Sequence, residues 1–215
     1  MELKESGTRI ISTDEKTGIQ ALERESTQMK PGQNERQDHE YARHGTQCLI
    51  ANLDVATGEV ISSSIGDTRT EEDFLAHIKA TVAADIEANW VFITDQLNTH
   101  KSESLVRFVA EVLEFDDSEL GEKGKRGILK SMETRAEFLS QQDHRIRFVY
   151  TPKHASWLNQ VECWFSILVR RLLKRLVVKS KEQLKEKILS FIDYYNSVMA
   201  KPLNWICRNK VKRAS

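Results

Sequence analysis

The 215-residue chain has no long apolar run, only three cysteines, and no net charge. Its richest apolar stretch, residues 164–178, is broken by Arg170, Arg171, Lys174 and Arg175, so no segment reads as a bilayer span. The N-terminus, MELKESGTR, lacks the apolar core of a secretory signal, which points to the cytoplasm. Cys48, Cys163 and Cys207 are odd in number and spaced for neither a zinc site nor a disulfide framework, so reduced structural thiols are expected. There is no internal repeat and no low-complexity segment.

What is present describes an ordinary globular protein: 40% hydrophobic and 30% charged residues, enough chain for one substantial domain. The zero net charge hides an asymmetry. From Thr151 to Ser215 there are 14 Lys or Arg against 4 Asp or Glu, whereas the first 150 residues hold 18 basic and 28 acidic ones. Clustered Lys and Arg suit a polyanion partner, although a basic run also serves as a solvated helix face.

The pattern along the chain predicts a short strand at 8–13, then a polar, loop-like stretch at 17–45. Residues 46–55 and 59–65 flank Ala56-Thr57-Gly58 and read as a β-hairpin. A helix starts after Thr70, with acids in its first turn and Phe74, Leu75, Ile78, Val82 and Ile86 at helical spacing. Residues 90–94 suit a strand buried on both faces, 102–114 a helix, and 145–150 a further strand. Between the last two, 116–143 reads as a polar insertion with a helix near 131–140. Two amphipathic helices follow, one carrying Val161, Trp164, Phe165, Leu168 and Leu172, the other spanning about 181–198. This order favours an α/β fold with a mixed five-stranded sheet flanked by helices: three antiparallel strands, then crossovers adding parallel ones.

Three acids sit at informative places. Asp14 is expected to end the first strand, Asp95 ends the buried strand, and Glu162 lies early in the basic helix. Carboxylates at the carboxyl ends of strands point into the crevice where α/β sheets bind ligands. Most of the 32 acids must be solvated surface residues; an acid closing a purely apolar strand is less ordinary. A few carboxylates on rigid elements suffice to hold Mg²⁺, and two such ions about 3.5–4 Å apart stabilise both oxygens of an in-line phosphodiester displacement. Glu15 would point to the opposite side of its strand from Asp14.

Residues 11–22 (ISTDEKTGIQAL), 92–102 (FITDQLNTHKS) and 149–166 (VYTPKHASWLNQVECWFS) resemble the three catalytic blocks of DDE transposases, most nearly the mariner-like insertion-sequence group of bacteria. The resemblance runs from about Arg9 to about Trp205. It implies a ribonuclease H-like fold and dependence on Mg²⁺ or Mn²⁺, with two ions per site. Asp14, Asp95 and Glu162 would be the catalytic and metal-binding acids, with Asn98, His100, His154 and Asn159 as auxiliaries. Lys16, Lys153, Arg170, Arg171, Lys174 and Arg175 are candidate DNA contacts. Trp157 and Trp164 could stack on bases, although Trp164 lies on the core stripe. The implied reaction is hydrolysis at an element's end, followed by attack of the freed 3′-hydroxyl on target DNA. Partners would be transposon-end and target DNA, with a homo-oligomer on the DNA, no membrane, and association with the nucleoid.

The resemblance assigns residues 1–200 to the catalytic domain and 201–215 to a basic tail. Two departures stand out. The 66 residues between Asp95 and Glu162 exceed the spacing of many members of that group, the excess mapping to 115–144. The helix-turn-helix region that usually precedes the first block is not seen. A non-catalytic copy that binds DNA or a full-length transposase, and another ribonuclease H-like nuclease, are the competing readings.

Overall fold

The structure is a computed structural model that describes residues 7–24, 41–153 and 155–202. Five strands form one sheet in the order β3-β2-β1-β4-β5. β1 (Thr8–Arg24), β2 (Tyr41–Asp54) and β3 (Val60–Gly66) are antiparallel. β4 (Asn89–Thr94) and β5 (Ile146–Tyr150) extend the sheet in parallel with β1, as the element order predicted.

The helices are α1 (Glu71–Ala83), α2 (Glu103–Val112), the single turn α3 (Asp117–Leu120), α4 (Met132–Leu139), α5 (Gln160–Arg171) and α6 (Lys181–Val198). The acids after Thr70 do more than complement the helix dipole. Thr70 and Asp73 close a capping box, with the Asp73 amide donating to the Thr70 hydroxyl at 3.2 Å. Ile86, expected on the core stripe of α1, lies beyond its end and is 63% exposed.

Two apolar layers sandwich the sheet. On one face Ile11, Ile50, Trp90, Phe92 and Phe148 pack against Phe74, Ile78, Leu105 and Val109 of α1 and α2. The rings of Trp90, Phe92 and Phe148 stack at 5.9 and 5.2 Å. On the other face Ile19, Leu49, Ala51 and Leu53 receive Val161, Trp164, Phe165 and Leu168 of α5 with Leu184 and Ile188 of α6. Burial of β4 on both faces explains why its sequence reads as an unbroken apolar run.

Two sequence-based expectations fail. The stretch 17–45 is not loop throughout: residues 17–24 belong to β1 and 41–45 to β2, paired down to Arg24–Tyr41. These arms extend past the core and are largely exposed from Tyr41 to Thr46, so polar composition masks their strand character. Asp14 therefore lies in the middle of β1, not at its end. The segment 115–144, read as a polar insertion with a helix near 131–140, carries that helix as α4 and is anchored in the core. Leu120, Leu129, Phe138 and Leu139 are fully or nearly fully buried and join the α1/α2 core.

Candidate active site

Parallel pairing sets the first two acids side by side. Ser12 of β1 is in register with Ile93 of β4, so two residues further on Asp14 stands beside Asp95, just after β4 ends. Alternation places Ser12 and Asp14 on the α5 face of β1 and Ile11 and Glu15 on the α1/α2 face.

Asp14 is held from both sides. Its Oδ1 accepts from the Glu15 amide at 2.8 Å, and its Oδ2 accepts from Asn159 Nδ2 at 3.1 Å. The other proton of that amide goes to the Thr13 carbonyl at 2.9 Å, while the Ser12 hydroxyl donates to Asn159 Oδ1. Asn159 occupies the N-cap of α5, but its own side chain makes no capping bond. Ser12 performs that task from the neighbouring strand, its Oγ accepting from the Val161 amide at 2.8 Å. One buried cluster thus fixes Asp14 and docks the start of α5 onto β1. Burial raises the Asp14 pKa to about 7; the Glu15 amide opposes this, and repulsion from Asp95 and Glu15 reinforces it.

Asp95 is fixed by a different set. Its Oδ1 accepts from the Leu97 amide at 2.9 Å and lies 2.8 Å from His100 Nδ1. That nitrogen is also 2.7 Å from Thr94 Oγ1; its single proton favours the carboxylate on grounds of charge. His100 Nε2 meets Glu15 Oε1 at 3.1 Å, with both side chains essentially inaccessible to solvent (0% and 2%). Phe74 packs against the imidazole in a tilted arrangement at a ring separation of 4.4 Å, and the Tyr150 hydroxyl donates to the His100 carbonyl at 2.9 Å. Burial opposes charge on His100, but hydrogen bonds to Asp95 and Glu15 outweigh it and raise the pKa to about 9. The same bond holds Asp95 below the usual carboxylate range.

Glu162 stands in the first turn of α5, lining an open recess with Lys16, Phe165, Ser166, Val169 and Arg170. Among the described residues no three His, Cys, Asp or Glu side chains converge closely enough to hold an ion. Asp14 and Asp95 form the prearranged pair; Glu162 faces the same side of the sheet next to Lys16, two residues along the strand from Asp14. Oxygen donors of this kind suit a hard divalent cation, and the Asp14 pKa is raised chiefly by burial, with repulsion from Asp95 and Glu15 adding to it.

The remaining candidates divide. Asn159 and His100 touch the acids directly. Asn98 is exposed at the start of the 3-10 turn Asn98–Lys101, and His154 lies outside the described residues. Lys153 is exposed after β5, near enough to Lys101 to help lower its pKa, although burial is the larger cause. Arg171, Lys174 and Arg175 are exposed along the end of α5 and the 3-10 turn Leu173–Arg175. Trp157 is 68% exposed, whereas Trp164 is core, packed against Phe165 and Tyr195. Sequence reading missed Ser12, Thr94 and Glu15. The signal for Glu15 was strand alternation, which sets this one acid on a face otherwise given to the core.

A family profile described as DDE superfamily endonuclease matches residues 9–185, a span that contains all three acids. The chain belongs to this family.

Three solved structures place this chain in a fold. A Mos1 transposase paired-end complex with left transposon end aligns with a TM-score of 0.54 at 15% identity, over 95% of this chain and 52% of that one. A pre-cleavage Mos1 transpososome gives 0.55 at 15% identity, with 95% and 53% covered. The catalytic domain of Mos1 mariner transposase gives 0.51 at 12%, with 95% and 77% covered. The chain spans about half the length of the first two. At these identities the likeness establishes the fold: the mixed sheet flanked by helices is ribonuclease H-like. Among curated proteins none matches the sequence. No helix among the described residues is long and apolar enough to cross a membrane.

Proposed function

We propose that this DDE-family chain is the catalytic domain of a transposase of the mariner-like insertion-sequence type, cutting DNA phosphodiester bonds and joining 3′-hydroxyl ends to target DNA. The observation that carries the reading is the pair Asp14–Asp95, brought together by the parallel strands β1 and β4, with Asp95 just past the end of β4, and each held by its own buried partner. Asn159 orients the Asp14 carboxylate, and His100 orients that of Asp95. Glu162 completes the set from α5, in the recess it shares with Lys16 and Arg170, whose charges suit a phosphate.

Mg²⁺ or Mn²⁺ held by Asp14, Asp95 and Glu162, two ions per site in this reading, would supply Lewis-acid stabilisation of the attacking and leaving oxygens. Arg170, Arg171, Lys174 and Arg175 give the DNA backbone a run of cations along the end of α5, and Lys153, exposed after β5, is a further candidate contact. Transposon-end and target DNA are the partners this proposes, bound by paired protomers in association with the nucleoid.

The test is Mg²⁺-dependent nicking of DNA by wild type and Asp95→Asn, with unfolding followed in parallel. We expect the variant to fold and to lose cleavage. Equal cleavage by the two proteins would remove the acids from the chemistry, and no cleavage by either would favour a non-catalytic DNA-binding role.

A further inference from the structure

Glu15 has no role in the reading above, yet its side chain is only 2% exposed. A buried carboxylate without a partner is costly, and this one has a single strong partner, His100 Nε2 at 3.1 Å. His100 in turn has no freedom. Phe74 covers its ring, Thr94 Oγ1 lies 2.7 Å from Nδ1, and Tyr150 ties down its backbone carbonyl. The remaining direction from Nδ1 leads to Asp95 Oδ1 at 2.8 Å. The line Glu15–His100–Asp95 therefore runs from the core side of β1, past the end of β4, to the carboxylate that faces the crevice.

We propose that Glu15 is a positioning residue for Asp95, acting through His100: it fixes which way the imidazole faces, and so where the Asp95 carboxylate points. This rests on the reading of Asp14, Asp95 and Glu162 as metal-holding acids. Asp95 is 37% exposed by side chain and, among the described residues, has only the Leu97 amide besides His100 hydrogen-bonded to its carboxylate, so its aim depends on a second layer that the solvent does not reach. Partners one step behind a metal ligand commonly change metal affinity by about 10–100-fold when removed. Adjacent positions on β1 thus divide the work: Asp14 faces the crevice and Glu15 braces its neighbour from behind.

The experiment is Mn²⁺ binding, read from the loss of the free-ion electron paramagnetic resonance signal. It compares wild type, Asp95→Asn, Glu15→Ala, Glu15→Gln, His100→Asn and the Glu15→Ala/His100→Asn double variant, each with its thermal midpoint. We expect Glu15→Ala to weaken Mn²⁺ binding by about 10–100-fold. Glu15→Gln, which retains an acceptor for Nε2, should lose less while unfolding close to wild type. The double variant should bind no more weakly than His100→Asn alone, because the two residues act in one line. Wild-type affinity in Glu15→Ala, alongside loss in Asp95→Asn, would overturn the positioning role and leave the metal reading intact. Additive losses in the double variant would also overturn it. Identical binding by wild type and Asp95→Asn would remove the metal reading, and the proposal with it.

Discussion

Asp14 sits where its charge is costly, and that cost is measurable. Its folded pKa, about 7, lies above the ordinary 3.8, so between these values the folded state binds more protons than the unfolded one. Stability from this group is present below about pH 4 and is lost as pH rises through about 7. In a chelator, Asp14→Asn should therefore raise the thermal midpoint at pH 8, by up to about 4 kcal/mol of stability, and change it little at pH 4. A variant no more stable than wild type at pH 8 would show that Asp14 ionises without strain. Adding Mn²⁺ should then stabilise wild type and leave the variant unmoved. Asp95 was legible in the sequence because its surroundings are local: an acid closing an apolar strand. The mid-strand place of Asp14 and the partner of Glu15 were not, because Asn159 and His100 lie 145 and 85 positions away and only the fold brings them together.

Helix α5 shows how one element borrows its start from another. Its N-cap residue, Asn159, is committed to Asp14 and Thr13, so Ser12 of β1 accepts from the Val161 amide instead. Ser12→Ala removes a buried cap and frees Asn159 Oδ1 of its donor, and should cost about 1–2 kcal/mol. Urea unfolding reads the loss, which should exceed that of Ser180→Ala, the ordinary, part-buried cap of α6. Equal losses would mean that docking of α5 does not depend on the bond. The helical spacing of α5 was plain from Val161, Trp164, Phe165 and Leu168. Its cap was not, since sequence rules look for the capping side chain at the N-cap itself. The arms of β1 and β2 were hidden for a related reason: past Lys16 and before Thr46 much of the ribbon is solvated, and strand pairing there is by backbone, which composition does not reveal. Bulges near Lys16–Ile19 and Gln20–Leu22 further disturb the alternation a reader would seek.

The same distinction governs the segment between Asp95 and Glu162. Its composition is polar, but a handful of apolar residues anchor it: Leu120, Leu129, Phe138 and Leu139 enter the layer formed by α1 and α2. It is part of the folded body, not a surface loop. Leu129→Ala should destabilise the whole protein by about 2–5 kcal/mol, as a core truncation does. A local loosening, with hydrogen exchange raised in 116–143 alone and the global midpoint unchanged, would contradict this. Charge is also arranged across the whole molecule. Lys179 and Lys181, near the start of α6, are engaged by Glu23 at 3.5 Å and Asp67 at 2.6 Å. Arg170, Arg171, Lys174 and Arg175 make no ion pair with any described residue, which leaves them free for an outside anion. If DNA lies along this run, replacing all four by Gln should flatten the dependence of log K on log salt by about 0.9 for each phosphate no longer neutralised. Binding of a short duplex, followed by fluorescence anisotropy from 50 to 200 mM salt (about the range in which such charges dominate), reads the slope directly. A weaker complex with an unchanged slope would mean that the four cations act through the fold. An unchanged complex would move the DNA path away from this run, to other cations such as Lys101 and Lys153.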